Sequence, residues 1–240
     1  MTTAIIIAGG SGARMGQDIP KQFINVYDKP VLIYTLEGFQ KHPQIDAIEV
    51  VCIDGWHDVV WAYAKQFNIT KLKWIFEGGD SNQHSIRNGL EGLRAAGRPD
   101  DDIILVHDGV RPLVSERIIT ENIEKCRKYG YAVTGLVCKE AIMEKVDDCV
   151  RNIPIPRERL IRTQTPHTYH LGDLLDAHHE AEDKNIENTV ASCTLMSALG
   201  VDDQQLVMGS ERNGLKLTQT EDIELFKALI HTEAESWIKQ

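Results

Sequence analysis

The segment Ala8-Gly9-Gly10-Ser11-Gly12-Ala13-Arg14-Met15-Gly16, continuing to Pro20-Lys21-Gln22, gathers the residue types that hold an oligophosphate. Gly9, Gly10 and Gly12 let the backbone turn tightly and bring its N–H groups close to an anion. Arg14 is a bidentate fork and Lys21 a compact charge, and both suit phosphate oxygens. Two familiar phosphate motifs do not fit this loop. G-x-G-x-x-G from Gly10 needs glycine where Met15 stands, while G-x-x-x-x-G-K-[ST] fails at Met15 from Gly10 and at Arg14 from Gly9. Hydride-transfer and P-loop chemistries therefore lose their main support.

Further along, Gly78-Gly79-Asp80 leads into Ser85-Ile86-Arg87-Asn88-Gly89-Leu90, a second glycine turn opening a helix. Val106-His107-Asp108-Gly109-Val110-Arg111-Pro112 stands at a strand end, where an Asp could also simply cap a turn. Arg162-Thr163-Gln164-Thr165-Pro166-His167 and Asn213-Gly214-Leu215-Lys216-Leu217-Thr218 complete the set. The 9 histidines do not suggest a zinc site. His107 and Asp108 point to opposite faces of a continuing strand, His167 reads as structural, and the adjacent His178 and His179 cannot share one metal on a helix. The 5 cysteines are odd in number and lack C-x-x-C spacing, so they read as scattered thiols of a reducing compartment.

The elements that must position these groups alternate. Ala4 to Ala8, Ile48 to Ile53, Ile103 to Val106 and Tyr131 to Val137 are Ile/Val-rich and short enough to be buried strands. Between them, Val31 to Lys41, Trp56 to Phe67, Ser85 to Ala96 and Glu116 to Tyr129 read as helices, with a last helix from Glu221 to Trp237. This order predicts an α/β fold with a mostly parallel central sheet flanked by helices, its ligand loops along one edge. Residues 138–161 break the pattern with mixed charges and Ile153-Pro154-Ile155-Pro156, and read as a β-arm protruding from a single domain spanning 1–240. A net charge of −10 argues against a nucleic-acid partner. The first apolar run is too short for a membrane span or a signal-peptide core, which predicts a soluble cytoplasmic protein.

In order and spacing, the motifs resemble those of the cytidylyltransferases that act on 2-C-methyl-D-erythritol 4-phosphate and of their relatives that act on ribitol 5-phosphate. The resemblance covers essentially the whole chain and implies a Rossmann-like nucleotidyltransferase that joins CTP to a polyol phosphate, making a CDP-polyol and pyrophosphate. By this resemblance Arg14, Lys21 and Lys216 are catalytic, handling the triphosphate and the transition state. Ala8, Gly9, Gly10, Gly12 and Ala13 cradle the phosphates; Gly79, Asp80 and Ser85 face the cytosine, and Gly109 offers its N–H to the nucleotide. Asp108 sits near ribose, acceptor and the expected Mg2+. Arg111, Arg157, Thr165 and Thr189 bind the acceptor, with Arg157 carried on an arm that swaps between the subunits of a homodimer. Arg159 and Arg162, close by, read as solvated surface charges.

Several positions depart from the erythritol-phosphate pattern. Asn82 replaces an Arg, Ala141 a Thr of the arm, and Val190 an Asp after Thr189. His167 stands where Gln is general. Ile153-Pro154-Ile155-Pro156-Arg157 looks more like the ribitol-phosphate branch, so the acceptor expected first is ribitol-like, with methylerythritol phosphate close behind. A homologue with impaired catalysis, or a transferase using another nucleotide such as UTP, are the alternatives.

Overall fold

The computed structural model describes residues 1–10, 19–152 and 155–232. The chain opens with strand β1 (Thr2–Ala8), the small pair β2 (Asn25–Val26) and β3 (Lys29–Pro30), and helix α1 (Val31–Lys41). Alternation follows: β4 (Ala47–Cys52), α2 (His57–Gln66), β5 (Leu72–Glu77), α3 (Asn82–Ala95), β6 (Ile103–Asp108), α4 (Glu116–Tyr129) and β7 (Tyr131–Val137). The hairpin β8 (Met143–Val146) and β9 (Cys149–Asn152) comes next, then β10 (Ile161–His170), α5 (Leu171–Asp183), α6 (Ser192–Ala198), β11 (Gln205–Met208), α7 (Glu211–Gly214) and α8 (Thr220–Ile230).

The strands form one seven-stranded sheet in the order β11-β7-β10-β6-β1-β4-β5. It is parallel except at β10, which runs antiparallel to both β6 and β7. β1 is buried on both faces. Ile6 joins Ile48, Val50 and Leu105 against Leu36, Phe39, Ile119 and Ile123 of α1 and α4. Ile5 joins Val51, Ile104 and Val106 against Leu90 and Leu93 of α3 and Leu174 of α5. Burial on both sides explains why these strands read as unbroken apolar runs rather than alternating ones.

The four early helices lie within a few residues of their expected spans. α3 starts earlier than expected because Ser81 caps it, accepting from the His84 N–H at 3.1 Å. α4 stops at Gly130, whose φ of 91° suits a left-handed helix end. α8 ends at Ile230, short of the expected Trp237, and residues 233–240 lie outside those described. β5, β10 and β11 were not foreseen. β10 carries Arg162, Gln164, Pro166 and His167, a polar composition that hides a strand whose burial comes from the flanking sheet. No helix among the described residues is long and apolar enough to cross a membrane.

Candidate active site

The carboxyl ends of the parallel strands meet the two glycine turns. Gln22 Nε2 donates to the carbonyls of Ala8 and Gly10, at 2.7 and 3.1 Å, and so pins the Pro20-Lys21-Gln22 segment to the end of β1. The second turn abuts the first: a Cβ built on Gly9 would lie 3.2 Å from Ser85 Oγ and 3.5 Å from Gly78 Cα. Ser85, buried in the first turn of α3, accepts from the Gly79 N–H at 3.0 Å. Ala8, Gly9, Gly10, Gly79 and Ser85 therefore share one region, with Asp80 exposed at its rim. Gly12, Ala13 and Arg14 lie outside the described residues.

β6 ends at Asp108, where two cations converge. Arg111 Nε donates to Asp108 Oδ2 at 2.8 Å, and Lys216 Nζ to Oδ1 at 3.1 Å. Arg111 also donates to the Gly214 carbonyl, and Leu217 N–H to that of Val110 at 3.0 Å, so the C-terminal segment is sewn to the end of β6. Asn213 Nδ2 reaches Gln164 Oε1 and the Thr165 carbonyl, at 3.1 and 3.2 Å. A Cβ on Gly214 would crowd the Gln164 side-chain amide, which the Ser210 carbonyl and Asn213 Nδ2 hold in place. Burial raises the Asp108 carboxyl, but Lys216 and Arg111 outweigh it and hold the group well below the usual carboxylate range. Lys21 lies near enough to help depress Asp222, the residue that caps the turn after Lys216 through Thr218 and Gln219.

Beside Asp108 opens a cleft lined by Arg111, Thr165, His167, Asn82, Val190, Ser192 and Lys216, over an apolar floor of Ile7, Ile86 and Val106. Thr165 sits where the β10–β7 register shifts, between Thr163 and His167. Its hydroxyl takes the Asp108 N–H at 3.2 Å and meets His107 Nδ1 at 3.0 Å. Four expected site residues, Asp108, Arg111, Thr165 and Lys216, thus share one cleft.

Other expectations need correction. The Gly109 N–H does not face a nucleotide: it donates to the Ile7 carbonyl at 2.9 Å, part of the β1–β6 connection. Thr189 does not line the cleft, because its N–H and hydroxyl both donate to Gln83 Oε1, at 3.0 and 2.9 Å. Gln83 Nε2 also holds the Ile186 carbonyl at 2.8 Å, so this buried side chain clamps the 186–189 loop to α3 and leaves Val190 to Ser192 at the cleft wall. Arg162 is not simply solvated, since its guanidinium spans both oxygens of Glu211 at 2.7 and 2.8 Å. Arg157 stays on the arm, donating to the Lys139 carbonyl at 3.1 Å beside Ala141. Within this chain it is not among the cleft residues.

Among the described residues no three His, Cys, Asp or Glu side chains converge into a metal cage. The acid that lines the cleft, Asp108, already engages both oxygens with cations. This donor set fits a divalent ion held mainly by phosphate oxygens and water, with a single carboxylate from the protein.

A family model for 2-C-methyl-D-erythritol 4-phosphate cytidylyltransferase, IspD, matches residues 2–232. A ribitol-5-phosphate cytidylyltransferase of Lacticaseibacillus paracasei is 44% identical over 232 residues, 96% of this chain and 98% of its own. A 2-C-methyl-D-erythritol 4-phosphate cytidylyltransferase of Clostridium acetobutylicum is 35% identical, covering 96% of this chain and 97% of its own. The solved 4-diphosphocytidyl-2C-methyl-D-erythritol synthase of Anaerococcus prevotii superimposes with a TM-score of 0.81 at 25% identity, over 97% of this chain and 96% of that one. Fold and matches together make the protein an α/β nucleotidyltransferase. More narrowly, the chain belongs to the IspD family of cytidylyltransferases.

Proposed function

We propose that the protein joins CTP to ribitol 5-phosphate, giving CDP-ribitol and pyrophosphate, with Mg2+ as the divalent ion. An oxygen of the acceptor phosphate attacks the α-phosphorus of CTP; the bond from that phosphorus to the bridging oxygen breaks, and pyrophosphate leaves with the electron pair. The acceptor phosphate is already ionised near neutral pH, so positioning and charge stabilisation carry the rate. Bound Mg2+ supplies charge neutralisation across the triphosphate oxygens, with Asp108 the residue to hold it.

The observation that carries this reading is the convergence of Arg111 and Lys216 on Asp108 beside the two abutting glycine turns. Once phosphates enter, both cations have better partners than one carboxylate. Lys21 and Arg14 serve the triphosphate, and Gly79 and Ser85 the base. Arg157 serves the partner's site in a homodimer, which leaves its distance from the cleft in one chain without contradiction.

The preference for ribitol 5-phosphate draws on the 44% relative bearing that name, against 35% for the methylerythritol relative. It draws also on two departures in one cleft: Asn82 and Val190 both line it, with Asn82 Nδ2 3.5 Å from the Val190 backbone carbonyl, where the erythritol-phosphate pattern leads one to expect an Arg and an Asp. Pyrophosphate release with CTP, Mg2+ and each polyol phosphate tests the assignment. The expected result is a higher kcat/KM with ribitol 5-phosphate. A higher value with 2-C-methyl-D-erythritol 4-phosphate overturns the acceptor, and CTP binding without release for any acceptor overturns the activity.

A further inference from the structure

The cleft carries two polar groups that the phosphate-handling cluster does not use. His167 lies on β10 opposite Val106 of β6, on the face that packs against α3 and α5. Ser192 is the first residue of α6. Both are 2% exposed and both line the cleft. His167 Nε2 and Ser192 Oγ have no hydrogen-bond partner among the described residues. Buried polar groups are nearly always paired, and an unpaired one destabilises the fold. Packing alone would favour an apolar side chain at either place, as their cleft neighbours Ile7, Ile86 and Val106 illustrate.

The chemistry of the two groups is complementary. Burial lowers the His167 ring to about 4, so it is neutral at working pH, and the ring meets the Gln164 backbone. With Nε2 unpartnered, that contact falls to Nδ1, and the neutral ring presents Nε2 as an acceptor. The serine hydroxyl both donates and accepts. Arg111, expected to bind the acceptor, takes its phosphate end, and this turns the carbon chain toward the remaining wall.

We propose that His167 Nε2 and Ser192 Oγ form the subsite that reads the hydroxyls of the acceptor's carbon chain, making the protein selective for a fully hydroxylated polyol phosphate. A secondary hydroxyl donates to Nε2 while accepting from Ser192. A deoxygenated carbon offers neither and leaves both protein groups unpaired, which is where discrimination against a missing hydroxyl arises. The inference rests on the cytidylyl transfer proposed above and deepens it.

The test compares ribitol 5-phosphate with 2-deoxyribitol 5-phosphate, obtained by borohydride reduction of 2-deoxyribose 5-phosphate, in the wild type, Ser192→Ala and His167→Leu. The wild type is expected to prefer the fully hydroxylated acceptor, and each variant to lose roughly ten- to a hundredfold of that preference. The loss appears as a raised KM for ribitol 5-phosphate, with the KM for CTP unchanged. Should His167→Leu fail to fold, Ser192→Ala, the smaller change, decides. A preference that survives in Ser192→Ala, or a KM for CTP that rises in step with that for the acceptor, overturns the subsite. Wild-type protein that releases no pyrophosphate with ribitol 5-phosphate removes the functional reading and this inference together, and so is told apart from failure of the subsite alone.

Discussion

Asp108 is pulled in opposite directions, upward by burial and downward by Lys216 and Arg111, and the cations prevail, so it is an anion throughout the working pH range. Its neighbours were legible as chemistry because each sits in a motif with a local signature: Asp108-Gly-Val-Arg111, Gln-Thr165-Pro, Gly-Leu-Lys216. The side chains that hold these groups in place were not. Gln22, Gln83, Gln164 and Asn213 read as ordinary polar residues, and their partners lie far along the chain, as with Gln83 and Thr189 at a separation of 106 residues. No local pattern announces such contacts. The Gly109 reading failed for a related reason, since a backbone N–H at a strand end is claimed first by the neighbouring strand. At this scale the prediction concerns Lys21, held at the phosphate loop through the Gln22 contacts. Lys21→Ala should lower kcat by roughly two to three orders of magnitude, the usual cost of one lost transition-state donor. Single-turnover rates with saturating CTP measure it, and wild-type chemistry in that variant removes the role.

Among the elements, the strands buried on both faces were readable from composition alone, while β10 was not, because its polar face is the one that lines the cleft. β4 hides a different feature. Glu49 lies fully buried beneath α3, where a Cβ on Gly89 would come 2.4 Å from its Oε1, and neither carboxyl oxygen has a partner among the described residues. Burial therefore pushes this carboxyl well above its ordinary value near 4.5. Unfolded, the group gives up its proton as pH rises past that value; folded, it keeps it, so Glu49 costs stability increasingly as pH rises. His107, His167 and His178 act in the other sense. Burial lowers each to about 4, so between about 6.5 and 4 the unfolded chain takes up protons that the folded one does not, and their contribution is lost as pH falls. Glu49→Gln should raise Tm, by a margin that widens from pH 5 to pH 8. Calorimetry across that range checks it, and a margin constant with pH would show that the carboxyl is not held protonated.

For the molecule as a whole, the unresolved matter of sequence was the arm. Arg157 follows the hairpin of β8 and β9, stands among arm residues that include the exposed Met143 and Ile155, and does not line its own chain's cleft. If Arg157 completes the partner's site while Lys216 serves its own, Arg157→Ala and Lys216→Ala homodimers should each be impaired. Co-expression of the two should then restore about a quarter of wild-type activity, since half the dimers would carry one intact site of two. Activity no better than the average of the two single variants rejects an arm shared between subunits. The pairing of Asp108 with Lys216 and Arg111 also has a bearing on life in salt. A stray chloride can take Lys216 only by breaking its contact with Asp108, whereas a ligand with several anionic oxygens meets Lys216 and Arg111 together. The resting ion triad thus favours oxyanions over halide, and chloride should compete with the substrates less well than sulfate does.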